Sequence, residues 1–216
     1  MNLRLAAVSL QEKQYQNVVS YLKNVKSDLN EAEQVEKTQI AAQVSTILGN
    51  YDQAITNYKQ LVSSFNGKSE MLARPYLALA DLSLKKNQLN EAEDYIAQLE
   101  KMNQEKKVDD DIWASALETK AQVQLQKGQK VAAVETLVNL LDQYENDRPM
   151  SSVRYQAGQI LFEEGDVKGA EKLWAGLSGE SGQFYKKLAD EKMKQAEWSD
   201  SYKKYIDRIP AAQSLK

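Results

Sequence analysis

The sequence contains no cysteine and no histidine. Disulfides, thiolate nucleophiles and Cys/His zinc sites are thereby excluded, and the side chain that most often moves protons near neutral pH is missing. Three prolines and nine glycines are too few for the many turns of a sandwich or barrel built from short strands. A formal charge of −3, from 28 basic and 31 acidic residues, supplies no global field for a nucleic-acid backbone, so nucleic acid is not expected as a partner. Long apolar runs are also absent. The stretch Met1 to Leu10 leads directly into Gln11, Glu12 and Lys13, so it reads as neither a spanning helix nor a signal peptide, and no membrane insertion by this chain is expected. Lack of cysteine suits a reducing cytoplasm and equally an envelope compartment where stray oxidation is avoided. What remains is 216 residues, 42% hydrophobic and 27% charged, enough for a core in one compact domain or one repeat array.

A repeat is present. Gly49-Asn-Tyr-Asp-Gln-Ala54, Asn87-Gln-Leu-Asn-Glu-Ala92, Gly128-Gln-Lys-Val-Ala-Ala133 and Gly165-Asp-Val-Lys-Gly-Ala170 each join a turn signal to an apolar-periodic run, and Lys13-Gln-Tyr-Gln-Asn-Val18 is a weaker copy. With the last residue of each as anchor, the positions are 18, 54, 92, 133 and 170, spaced by 36, 38, 41 and 37. Four residues after the anchors stand Leu22, Tyr58, Ile96, Leu137 and Trp174, and seven after them Val25, Leu61, Leu99, Leu140 and Leu177. Anchor, +4 and +7 mark one stripe of an amphipathic helix. Twelve residues before the anchors come Ala6, Ala42, Ala80, Ala121 and Gly158, small enough for two helices to approach closely. Each repeat therefore reads as a helical hairpin whose first helix ends at a left-handed residue, supplied by Gly49, Asn87, Gly128 and Gly165.

These residues resemble the tetratricopeptide repeat (TPR) family in a divergent, bacterial-type form, most fully in Leu48-Gly49-Asn50-Tyr51-Asp52-Gln53-Ala54-Ile55-Thr56-Asn57-Tyr58. The resemblance covers residues 1 to about 178. It departs from the family pattern where the tryptophan early in the first helix becomes Thr38, Tyr76, Leu117 and Arg154, in the missing closing proline, and in a period longer than 34. It implies an all-α, right-handed superhelical solenoid of about five helix hairpins over 1–178, closed by capping helices over 179–216. In that closing segment Phe184, Leu188 and Met193 are expected inward, Gly176, Gly179 and Gly182 read as a linker, and Pro210 as the stop. The first helix opens without a capping box, which reads either as the start of a domain cut from a longer protein or as a first helix that frays.

Candidates for chemistry have plainer readings. Asp109-Asp110-Asp111 precedes Ile112 and Trp113 where a helix should start, so capping and dipole stabilisation account for it better than a metal site. No phosphate-cradling loop is present. No cofactor, metal or catalytic residue is expected, and the chain reads as a non-enzyme.

The family resemblance places a partner-binding groove on the concave side, lined by first-helix residues. Carried over residue by residue, it gives Glu36, Gln39, Gln43 and Thr46; Arg74, Leu77, Asp81 and Leu84; Ser115, Glu118, Gln122 and Leu125; and Ser152, Tyr155, Gln159 and Phe162. Gln39, Gln43, Arg74, Leu77, Asp81, Glu118, Gln122, Tyr155, Gln159 and Phe162 are the principal candidates. This lining does not match the family's clamp for C-terminal carboxylates and suits a peptide or helix. The function expected is a non-enzymatic scaffold or adaptor that binds a protein or peptide partner. Arg154 to Leu177 is similar to the last repeat of periplasmic TPR-like domains tethered to the membrane, which implies a bacterial cell-envelope assembly; the alternative location is cytoplasmic. A regulatory or sensor domain that binds a peptide or small ligand and controls an effector outside this chain is the second reading. Apolar surface at the first hairpin allows self-association.

Overall fold

The computed structural model describes residues 1–64, 71–105 and 108–208, apart from the side chains of residues 181, 207 and 208. Pro210 lies outside the described residues. Eleven helices are present among them: α1 (Asn2–Gln11), α2 (Tyr15–Lys23), α3 (Glu31–Ile47), α4 (Tyr51–Ser64), α5 (Ala73–Lys85), α6 (Leu89–Gln104), α7 (Asp110–Gln126), α8 (Lys130–Tyr144), α9 (Ser151–Glu163), α10 (Val167–Ala175) and α11 (Gly179–Arg208). The chain forms two compact units, Met1–Gln129 and Lys130–Lys216, so the fourth repeat gives its first helix to one unit and its second to the other.

One turn geometry recurs at the end of each first helix. Lys13, Gly49, Asn87, Gly128 and Gly165 have φ of 59°, 76°, 59°, 76° and 88°. The residue after each donates its amide back across the turn, as in Gln14 N to Ser9 O, Asn50 N to Ser45 O and Gln88 N to Ser83 O, all 2.8 Å. This six-to-one bond satisfies a carbonyl that the helix end would otherwise leave open. Glycine and asparagine adopt the left-handed region at low cost, which explains four of the five positions. Helix starts follow their own chemistry. Asn30 and Glu33 form a capping box on α3, Asp109 accepts from Asp111 N on α7, and Asp166 accepts from Gly169 N on α10.

The predicted stripes face inward. Ala54, Tyr58 and Leu61, and Ala92, Ile96 and Leu99, are buried, as are Ala6, Ala42 and Ala80 on the helices opposite. In the second unit Ala133, Leu137 and Leu140, and Ala170, Trp174 and Leu177, are buried in the same way. Each fully buried leucine contributes about 1.5–3 kcal/mol. The ion pairs between neighbouring repeats are partly exposed and screened by solvent, so the buried stripes outweigh them. These pairs nevertheless recur in register. The residue after the first helix pairs with the start of the preceding second helix: Lys86 with Asp52, Lys127 with Glu93 at 2.6 Å, and, with the charges exchanged, Glu164 with Lys130 at 2.6 Å.

The closing segment is one 30-residue helix, α11, which begins at Gly179 and includes Gly182; the expected linker is shorter than the glycines suggested. The stripe that packs is spaced by four residues and runs through 185, 189 and 193. Tyr185, Ala189 and Met193 face α9 and α10, while Phe184, expected inward, is 61% exposed. Leu188 is half-buried.

Candidate functional site

In the first unit the expected lining residues lie on α3, α5 and α7. Gln39 is exposed and Gln43 half-buried on α3; Arg74 is exposed and Leu77 and Asp81 half-buried on α5; Glu118 and Gln122 are exposed on α7. Residues 39 and 43, or 77 and 81, are one helical turn apart and so share a face. Leu84 departs from the expected lining. It is buried with Ala80, Ala92, Ile96 and Val123, because the end of α5 leans into the core of its own hairpin.

Asp81 is the point at which two repeats meet through polar atoms. Thr119 Oγ1 on α7 lies 2.6 Å from Asp81 Oδ1 and 2.9 Å from Ser115 O, so one hydroxyl proton serves a carboxylate and a carbonyl. Burial raises the Asp81 carboxyl above the ordinary carboxylate range, against the opposing effects of the Thr119 hydrogen bond and the Lys85 ammonium. Tyr58 reaches the same region from α4. Its phenol is raised mainly by burial and secondarily by the Asp81 charge, while a hydrogen bond with Thr46 acts the other way. Lys85 Nζ lies 5.7 Å from the centre of the Tyr51 ring. The face thus carries a fixed, half-buried carboxylate among amides, one arginine and an aliphatic residue.

In the second unit the candidates Tyr155, Gln159 and Phe162 lie on α9, and all three are engaged by their own chain. The Tyr155 ring stacks on Trp174 at 5.8 Å and meets Tyr185 of α11 at 5.5 Å, and Phe162 lies 5.6 Å from Trp174. Trp174 Nε1 donates to Tyr155 O at 3.1 Å. Gln159 Nε2 donates to Glu163 Oε1 at 2.8 Å. Here α9 presents an aromatic cluster partly covered by the closing helix.

Among the described residues no group of three or more acidic side chains is placed to hold a metal ion. No helix among them is long and apolar enough to cross a membrane. Sequence reasoning missed the Thr119 partner of Asp81, because the two residues are 38 apart and meet only when neighbouring hairpins stack. It also missed two clefts, one of about 380 Å³ lined by the segment after α2 together with α3 and α4, and one of about 460 Å³ lined by α4, α5 and α6.

No protein-family model matches the sequence, and no curated protein matches it significantly. Solved structures do. Two structures of a kinesin light chain-like protein of Podosopora anserina with nearly identical TPR-like repeats are similar in fold. One, a point variant, is 18% identical with a TM-score of 0.65 and covers 88% of this chain and 95% of that one. The other is 16% identical with a TM-score of 0.62 and covers 89% and 94%. This chain has a TPR-like repeat fold. That fold accounts for the five equivalent turns and for the helical hairpins.

Proposed function

We propose that the chain is a non-enzymatic scaffold that binds a protein or peptide partner through the first-helix face of α3, α5 and α7 in the first unit, and that Gln159, Tyr155 and Phe162 on α9 are contact residues of the second unit taken by itself. Asp81 is the observation that supports this most. A half-buried carboxylate held by a threonine of the next repeat is a fixed polar group in a setting of Leu77, Gln122 and Glu118, the mixture that orients a peptide while burying some of its apolar surface. Within the first unit the stacked first helices α3, α5 and α7 repeat this face, so a segment lying across them contacts several repeats at once. The same proposal places the protein in a bacterial cell-envelope assembly, on the likeness of Arg154 to Leu177 to tethered periplasmic repeats.

The test uses only exposed positions. The native chain and a Gln39→Arg, Arg74→Glu, Gln122→Arg variant are compared in crosslinking capture from extract, with circular dichroism as the folding control. A partner captured by the native chain and lost by the folded variant supports the reading. Equal capture by both overturns the first-helix face. Fractionation of the captured partner to the cytoplasm would overturn the envelope placement.

A further inference from the structure

The repeat turns one inter-repeat position into a comparison. Eight residues after one anchor and thirteen before the next, two side chains meet at the junction of neighbouring hairpins. At the third junction they are Glu100 and Lys120, a half-buried ion pair at 2.7 Å. At the second they are Val62 and Leu79, which pack in one apolar cluster. At the first they are Lys26, in the turn after α2, and Ala41 on α3, and both line the cleft of about 380 Å³. The third junction pairs a carboxylate with a lysine and the second is apolar, whereas the first has Lys26 where the third has Glu100, and Ala41 where the third has Lys120, so its charge has no partner across the junction. Lys37 on α3 lines the same cleft, with Thr38, Asn57 and Gln60 as further polar groups and no carboxylate in the lining. Among the described residues neither Lys26 nor Lys37 has an ion-pair partner.

We propose that this cleft is a second interaction site, on a different face of α3 from Gln39 and Gln43, and that it receives an acidic peptide segment of a partner protein. A glutamate or aspartate carboxylate entering beside Ala41 would meet two ammonium groups, while the amides of Asn57 and Gln60 and the Thr38 hydroxyl supply hydrogen bonds to its backbone. The volume fits one or two side chains rather than a folded surface. Recognition of this kind adds specificity and weakens with salt. The site stands whether or not the first-helix face binds a partner.

The experiment is a nuclear magnetic resonance titration of the 216-residue chain, labelled with nitrogen-15. Three probes are used: a glycine-spaced peptide carrying two glutamates, its glutamine counterpart, and inorganic phosphate. The glutamate peptide should shift the resonances of Thr38, Asn57 and Gln60 saturably, and Lys26→Gln with Lys37→Gln should weaken it about tenfold, as expected for loss of charge-assisted bonds. Ala41→Glu supplies the missing carboxylate from within and should block the peptide, whereas Ala41→Gln should not. Equal binding of the glutamine peptide, shifts that survive the double lysine variant, a response to phosphate alone, or no local shift at all would each overturn the proposal.

Discussion

Gly158 lies directly beneath the indole of Trp174: a Cβ built on the glycine would stand 2.3 Å from Nε1. The two residues are sixteen apart, and the same spacing pairs Ala6 with Leu22, Ala42 with Tyr58 and Ala80 with Ile96. The array therefore keeps one seat of nearly constant volume and divides it differently, so that the largest residue faces the smallest. Gly158→Ala should destabilise the second unit by about 1–3 kcal/mol through overpacking, despite alanine's better helix propensity. Trp174→Leu alone should cost roughly 2–4 kcal/mol by leaving a cavity. In the double variant the two changes relieve each other, giving a coupling of about 1–3 kcal/mol in a denaturant double-mutant cycle followed by circular dichroism. Strict additivity would show that indole and glycine do not share the seat.

Lys13 holds the left-handed turn of the first repeat at φ 59°, where three other repeats use glycine. A lysine there carries about 1–2 kcal/mol of steric cost, offset in part by the larger unfolded-state entropy of glycine. Lys13→Gly should stabilise the chain by about 0.5–1 kcal/mol net, and Gly165→Lys should destabilise it by a similar amount. Thermal melts of the two variants should move in opposite directions. Movement in the same direction would mean that side-chain contacts, rather than backbone conformation, decide these positions.

The turns and stripes could be read from the sequence because left-handed residues and seven-residue apolar spacings leave local marks. Lys13 shows the limit of that reading: its turn is the same, but its residue type gives no signal. Phe184 shows another. Gly176, Gly179 and Gly182 suggested a break where α11 in fact starts, and the stripe of Tyr185, Ala189 and Met193 packs inward in place of Phe184. The candidate face came from the family pattern, which names positions but not what stacks upon them. It could not show that Tyr155 and Phe162 lie against Trp174, or that Thr119 reaches Asp81 across 38 residues. The Lys26 and Lys37 cleft lay outside that pattern altogether.

Asp81 gives a pH signature whose sign follows from its environment. Its carboxyl is raised in the folded state, mainly by burial, so the folded protein holds that proton more tightly than the unfolded chain. The associated stability is fully present below the unfolded value of 3.8 and is lost as pH rises through the raised folded value. Asp81→Asn retains an acceptor for Thr119 without the charge. Its stability relative to the native chain should therefore increase as pH is raised from below 3.8 to neutrality and then level off. Urea midpoints measured across that range provide the check, and a constant difference would place Asp81 in an ordinary solvated setting. If Asp81 also contacts the partner, the variant that gains stability at neutral pH should lose affinity there.

Ser83 occupies the same repeat position as Ser9 and Ser45, nine residues before its anchor, and it is the most buried of the three, at 0% exposure against 6% and 8%. Its Oγ has no hydrogen-bond partner, and neither has the buried Oε1 of Gln88 at the far side of the same turn. The backbone needs neither atom, because the turn is closed by Gln88 N donating to Ser83 O at 2.8 Å. In the fifth repeat the position is Leu161, so the site accepts an apolar side chain. Ser83→Ala removes a desolvated hydroxyl and improves helix propensity, and should raise stability by about 1 kcal/mol, more than Ser45→Ala, whose hydroxyl is closer to water. A loss of stability would carry the opposite meaning: a buried water then bridges Ser83 Oγ and Gln88 Oε1, and the two polar atoms form a satisfied pair that holds the hairpin closed.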